Sequence, residues 1–145
     1  MSQGAARERF IILYDGLCGL CNRLNRFVLK RDPEGRFRFA SLQSEFSREI
    51  LIRHRRLATD VNTLYVLREV STAGREELLS KSEAVVTILE QLHGFRFWVA
   101  LMRILPTPLT DFGYDVVAKN RYRIFGRYEV CPLPGSGERE RFIQI

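Results

Sequence analysis

The chain has 145 residues, 46% hydrophobic and 28% charged, the balance of an ordinary soluble globular protein with enough apolar residues for one core. Its formal charge is +6, but of the 23 basic residues only Lys30, Lys81 and Lys119 are not arginine, and the arginines are scattered. No nucleic-acid-binding motif accompanies the short clusters Arg53-His54-Arg55-Arg56 and Arg121-Tyr122-Arg123, so no nucleic-acid partner is expected.

Phe10-Ile11-Ile12-Leu13-Tyr14 reads as a strand, rich in β-branched and aromatic residues. Asp15-Gly16-Leu17-Cys18-Gly19-Leu20-Cys21 follows. A helix then runs from Cys21 to Arg31, with Leu20, Leu24, Phe27 and Val28 at helical spacing. Asp32-Pro33-Glu34-Gly35 is a turn signal, and Arg36-Phe37-Arg38-Phe39-Ala40 alternates as a second strand, parallel to the first. Phe46 to Leu57 reads as a short helix, Thr63 to Glu69 as a third strand, and Arg75 to Leu79 as a fourth, hairpinned to the third through Ser71-Thr72-Ala73-Gly74.

Ser80 and Glu83 spell a capping box ahead of a helix with Ala84, Val85, Ile88, Leu89 and Leu92 on its apolar face and Gly94 at its end. The order β-α-β-α-β-β-α is that of a thioredoxin-like α/β fold, with a cysteine pair after the first strand. Phe95 to Leu105 reads as a further helix. Thr107 then caps another, with Pro108 at its first position and Gly126 after about Phe125. The tail Cys131-Pro132-Leu133-Pro134-Gly135-Ser136-Gly137 reads as loop. No repeat or linker interrupts the chain, so residues 1–145 are expected to form a single domain, a core of about 10–94 with a helical C-terminal extension of about 95–145. Asp111-Phe112-Gly113 spells the kinase metal-binding triplet, but no glycine-rich or catalytic-loop pattern precedes it.

The chemistry lies in Cys18 and Cys21. A helix N-terminus carries partial positive charge and unpaired N–H groups, which stabilise a thiolate, and the thiolate is the nucleophile of disulfide exchange. Cys18, at the helix mouth, is expected to attack. Cys21, one turn further in and shielded by Leu17, Leu24 and the strand, is expected to resolve the mixed disulfide. Two other readings remain open. Zinc would need two further ligands from Cys131, His54 and His93, with no second CxxC or close His pair to supply them. The cysteines can also be inert core residues, which would make the chain a thioredoxin-like binding module with structural or metal-bound cysteines. Three cysteines make no disulfide framework, Met1 to Arg9 is polar with no apolar signal region after it, and Phe95 to Leu105 carries Arg96 and Arg103 and is too short to span a bilayer. A cytoplasmic protein without a membrane span is expected.

The sequence resembles the DCC family of thiol-disulfide oxidoreductase-like proteins, named for Asp-x-x-Cys-x-x-Cys. Asp15, Cys18 and Cys21 match that motif, Lys81-Ser82-Glu83-Ala84 matches a mid-chain Ser/Ala element, and the run from Tyr114 to Gly126, with Cys131 beyond, resembles the C-terminal signature. The resemblance spans about Ile12 to Leu133 and implies a thioredoxin-like fold and thiol-disulfide oxidoreductase activity. The sequence departs from thioredoxins in having Gly19-Leu20 between its cysteines and no proline in Asp60-Val61-Asn62-Thr63, just before the third strand. Asn62 or Thr63 is therefore expected to face Cys18 and to meet the substrate.

Fold topology brings Leu17 to Cys21, Asp60 to Thr63 and Ser80 to Glu83 together. Ser82-x-Ala84-Val85 resembles the Ser-x-Ala-Ile element by which glutathione transferases hold a carboxylate, which implies a small acidic thiol such as glutathione as partner, beside disulfide-containing proteins. Ser80 and Ser82 can equally cap their helix. Asp15 is positioned to relay a proton to or from Cys21, or to hold the loop as an Asx-turn, and its charge would oppose the helix end at the thiol. Arg121 and Arg123 are expected over the site, favouring a thiolate or a substrate carboxylate, or else paired with Asp115, Glu129 or solvent. No dissociable cofactor is expected beyond a thiol or dithiol reductant, and no bound metal.

Overall fold

The first strand, β1 (Glu8–Tyr14), is the middle of the sheet, because both of its faces are apolar and both need cover. The structure is a computed structural model and describes residues 8–32, 35–56, 63–70, 75–92, 94–126 and 141–143. After β1 come α1 (Gly19–Arg31), β2 (Phe37–Ser41), α2 (Glu45–Arg53), β3 (Tyr65–Val70), β4 (Arg75–Ser80), α3 (Lys81–Gln91), α4 (Arg96–Ile104), α5 (Thr107–Phe125) and β5 (Phe142–Ile143). The sheet order is β4-β3-β1-β2-β5. β1 pairs parallel with β2 and antiparallel with β3, and β3 pairs antiparallel with β4. This is a thioredoxin-like α/β fold with two further helices.

Strand alternation sorts the core into two layers. Phe10, Ile12, Tyr14, Phe37, Phe39, Leu64 and Val66 point to one face, where Val28 of α1 and Ala84 and Ile88 of α3 cover them. Ile11, Leu13, Ala40, Tyr65 and Leu67 point to the other, against Ile50 and Leu51 of α2. Arg38, between Phe37 and Phe39, is exposed, as the alternation of β2 requires.

Several boundaries depart from the sequence reading for local reasons. α2 stops at Arg53 rather than near residue 57, because Arg55 takes a left-handed φ of 59° and the Arg56 amide turns back to the Leu51 carbonyl. The Ser80–Glu83 capping box is not made: Ser80 forms no side-chain cap bond, Lys81 has a φ of 54°, and the Lys81 amide donates to the Leu64 carbonyl at 3.1 Å. α5 begins at Thr107 with Pro106 as its cap, so Thr107 is a helical residue and not the cap. A two-residue strand, β5, pairs parallel with β2 where the sequence suggested no strand. It is held by Phe142 stacking on Phe39 at 5.0 Å and by Arg141, which pairs with the buried Asp32. Two residues are too few to show a strand period. The Ser71–Gly74 turn and the 131–137 tail lie outside the described residues.

α4 and α5 pack on α3, and α5 also packs on α1. No residue of α4 is buried, and Phe97, Trp98, Leu101, Ile104 and Leu105 form one exposed stripe along it. Among the described residues no helix is long and apolar enough to cross a membrane.

Candidate active site

Cys18 is the N-cap of α1. Its backbone is extended (φ −88°, ψ 126°), and its sulfur accepts the Cys21 N–H at 3.4 Å. The side chain thus does what a Ser or Asp does at this position, satisfying one of the unpaired N–H groups of the first turn. Another is taken by the far end of the chain: the Gly19 N–H donates to the Gly126 carbonyl at 3.2 Å. Gly126 reaches that position with a φ of 83° after the last turn of α5, a conformation that costs glycine little.

Of the stripe read in the sequence, Val28 is buried and Leu24 and Phe27, half-buried, pack against the core, as does Cys21; Cys18 and Asn25 are buried as well. Both Asn25 side-chain polar atoms are buried, and among the described residues neither has a hydrogen-bond partner. The expected shielding of the two sulfurs is reversed. Cys18 has 0% exposure, while Cys21 is half-buried and lines a cavity. The end of α5 meets the first turn of α1 beside Cys18, through the Gly19 N–H and the Gly126 carbonyl.

The two thiols titrate apart. Cys18 is lowered from its ordinary 9.0 to about 6, first because the Cys21 thiol donates to it, then, against the cost of burial, because the Cys21 N–H and the Arg121 charge favour its thiolate. Cys21 is pushed up strongly, by that same bond, by burial and by the neighbouring Cys18 charge. In the reduced pair the proton sits on Cys21.

Asp15 is 1% exposed and engages both oxygens. Oδ1 accepts from the Leu17 N–H at 3.0 Å, the Asx-turn alternative, and from Gln43 Nε2 at 2.8 Å. Oδ2 accepts from Arg121 Nη2 at 3.0 Å and from the Tyr122 hydroxyl. A proton relay through Asp15 must therefore displace one of these donors. Arg121, 4% exposed, pairs with Asp15 rather than with Asp115, which Lys81 takes instead. Burial works against the guanidinium, but Tyr122, Cys21 and Asp15 around it hold its charge above the ordinary range. Burial and the Asp15 bond likewise raise Tyr122. Asp15 and Arg121 thus form a buried neutral pair beside the cysteines, so the carboxylate does not confront the thiols alone.

Arg123 is exposed and not brought to the pair, since two residues along a helix turn about 200° from Arg121. Ser82 is brought to the cavity that Cys21 lines, but its hydroxyl donates to Asp111 of α5. Thr63 is half-buried, and Leu64 beside it lines the cavity, with its N–H donating to the Tyr114 hydroxyl at 2.6 Å. Asn62, Cys131 and His93 lie outside the described residues. His54, a candidate zinc ligand in sequence, bonds Glu76 at 3.1 Å.

The sequence reading missed four contributors. Asn22 Nδ2 donates to the Gly16 and Cys18 carbonyls at 3.0 and 2.8 Å and fixes the loop. Gln43 Oε1 accepts the Gly16 N–H at 3.1 Å. Tyr122 and Tyr114 complete the wall from α5. Asn22 stands next to the cysteine pair and Tyr122 next to Arg121, which is a signal; Gln43, 28 residues from Asp15, has none.

The chain thus places two free cysteines, one buried and one half-buried, at a helix N-terminus of a thioredoxin-like fold. Residues 12–127 match the family described as DCC1-like thiol-disulfide oxidoreductase, and the chain belongs to that family. It is 36% identical over 134 residues to the uncharacterized protein YuxK of Bacillus subtilis, covering 92% of this chain and 93% of that one. It is 34% identical over 127 residues to a DCC family protein of Arabidopsis thaliana named as chloroplastic, covering 87% and 70%. No solved structure matches the chain.

Proposed function

We propose that this protein is a thiol-disulfide oxidoreductase in which Cys18 attacks and Cys21 resolves. The observation that carries the reading is the N-cap position of Cys18 together with its lowered titration, to about 6. At neutral pH Cys18 is then mostly thiolate, with the proton stored on its partner. The Cys18 thiolate attacks one sulfur of a substrate disulfide and the S–S bond breaks. The departing thiolate takes the Cys21 proton, and the Cys21 thiolate attacks the Cys18 sulfur of the mixed disulfide. The substrate leaves as one thiol and one thiolate, which takes its proton from solvent, and the protein holds a Cys18–Cys21 disulfide, which a thiol or dithiol reductant reopens.

Cys18 has no exposed surface, so in this reading the end of α5 at Gly126 shifts from the mouth of α1 before attack. Asp15 acts as a positioning residue: it holds Arg121 and Tyr122 over the pair, and it exchanges a proton with Cys21 only when one of them lets go. Thr63, just before β3, borders the substrate. The partner is a disulfide-containing protein or a small thiol such as glutathione, and no dissociable cofactor takes part. A reducing compartment such as the cytoplasm suits a dithiol kept ready to react. We treat residues 10–94 and the following helices as one domain, since α5 packs on both α1 and α3.

One observation favours a second reading, in which Cys21 attacks: Cys21 is the sulfur that borders the cavity. Its raised titration opposes this. Trapping separates the two. Cys21→Ser should accumulate a mixed disulfide on Cys18 with an added disulfide probe, and Cys18→Ser should accumulate little. The reverse pattern assigns attack to Cys21. Folded variants that trap nothing, with alkylation of the parent thiols no faster than that of a buried thiol, would leave the binding-module reading.

A further inference from the structure

Leu20, Leu24, Leu64, Val85, Met102 and Val117 form the apolar wall of a cavity of about 350 Å3 between α1, α3, α4 and α5, and Cys21 lies in that wall. The volume suits one or two large side chains. Val117 is nearly half exposed and Gly113 is exposed, so the cavity opens to solvent along α5.

The polar groups that reach this wall are already engaged with one another. Ser82 donates to Asp111, and Thr110 Oγ1 lies 3.2 Å from Ser82 Oγ and donates to the Thr107 carbonyl at 3.0 Å. The Tyr114 hydroxyl accepts the Leu64 N–H, and Arg121 is matched by Asp15. The carboxylate that Ser82 meets is therefore the chain's own Asp111, and its negative charge repels a substrate carboxylate at the same place.

We propose that the substrate disulfide carries an apolar group beside it, which seats in this cavity while the disulfide lies over the cysteine pair; an acidic substrate such as glutathione disulfide is disfavoured. The inference rests on the thiol-disulfide reading of the pair. The exchange is the one already written: two electrons and one proton pass from the pair to the substrate, a second proton comes from solvent, the substrate leaves as two thiols, and the protein keeps the new disulfide. The Cys18 sulfur lies 3.4 Å from the Cys21 amide, so a group seated against Cys21 leaves its neighbouring disulfide close to both sulfurs.

Burying one large aliphatic or aromatic side chain is worth about tenfold or more in binding. The test uses the full-length reduced protein and two disulfide-linked peptides of equal length with blocked ends. One has Leu beside the cystine and the other Glu, and each rate is divided by that of the same peptide with dithiothreitol. The Leu peptide should be reduced about tenfold faster or more, and Val117→Asp, at a half-exposed position that tolerates charge, should erase most of that preference. A neutral dialkyl disulfide reduced as fast as the Leu peptide identifies the source as any apolar disulfide, and one reduced much more slowly identifies it as a peptide; both support the subsite. Equal rates for the two peptides, a faster Glu peptide, or an unchanged preference in Val117→Asp overturns the inference while leaving the oxidoreductase reading intact. Reduction of neither peptide sinks that reading, and the inference with it.

Discussion

The sheet and the α4–α5 pair use apolar residues in opposite ways. β1 buries Phe10, Ile11, Ile12, Leu13 and Tyr14, one face against α1 and α3 and the other against α2. The α4–α5 pair turns Phe97, Ile104 and Phe112 to solvent, at 72%, 79% and 66% exposure, yet its inner side supplies Arg121, Tyr122 and Tyr114 to the site. Apolar patterning names the buried faces of the sheet, whereas in the α4–α5 pair amphipathic spacing announces helices without naming which face is buried. In α5 the inner face is mixed: Tyr114 and Val117 meet the core and the apolar cavity, while Arg121 and Tyr122 meet the Asp15 loop beside the thiol pair.

The sharpest way to break that comparison is to truncate one aromatic from each region. Phe39→Ala, in the core beneath Phe142, should cost about 3–5 kcal/mol of unfolding free energy. Phe97→Ala should stay within about 0.5 kcal/mol, as exposed positions usually do. Equal losses by denaturant melting would mean that the outer face of α4 is part of the fold's own core.

The inner side of α5 should behave like a core of another kind. Arg121→Met leaves Asp15 buried and unpaired, so it should cost about 3–5 kcal/mol. Asp15→Asn in the same chain should return much of that loss, because no bare charge then remains. A single variant as stable as the parent would show that Arg121 only rests on the site.

The thiols sharpen the comparison further, since their titration joins both regions. The strongest cause of the lowered Cys18 titration is the Cys21 thiol. Cys21→Ala should raise the midpoint of Cys18 alkylation from about 6 by roughly one to two units, given about 1.5–3 kcal/mol for a hydrogen bond to a charged group. The sign carries over to stability. Because the folded Cys18 value lies below its ordinary 9.0, its contribution is full above 9.0 and is lost as pH falls through about 6. Cys21 works the other way above its ordinary 9.0, where the unfolded thiol ionises and the folded one does not. The reduced protein should therefore gain stability from about pH 6 towards 9.0 and lose it beyond. Stability flat across that window would show that the two thiols do not share a proton.

Much of this was legible in the sequence, and the limits have physical causes. The order of elements through α3 and the helix start at the cysteine pair follow from strand alternation, turn residues and helical spacing, all local. The family resemblance pointed to the pair and Asp15 as candidate site residues. Asp15's partners were not legible, because Gln43, Arg121 and Tyr122 reach it across the fold from 28, 106 and 107 residues away. Nor was the shielding of Cys18, which is tertiary and not local. β5 was missed because two residues hold no period, and Ser80 was misread because a capping-box pattern says nothing of a left-handed residue at the next position.

The smallest expected effect lies where the sequence and the packing conflict. Asn25 sits on the buried face of α1, one turn past Cys21, 2% exposed, with both amide atoms unpartnered among the described residues. Its helical spacing places it in line with Cys18 and Val28, at a position where an apolar residue would cover the sheet. A buried polar group without a partner costs about 1–3 kcal/mol. Leu keeps the same γ-branched shape but its two methyl groups are bulkier, so Asn25→Leu should stabilise the protein by about 1 kcal/mol once that overpacking is set against the relieved penalty. The rate of disulfide exchange separates a packing flaw from a working part. A more stable Asn25→Leu protein with an unchanged Cys18 titration near 6 makes Asn25 a residue the core merely tolerates. A less stable one, or one whose Cys18 midpoint moves, would show that the amide is bonded in the working protein and that the buried face of α1 is polar there by need, as α5 is at Arg121 and Tyr122.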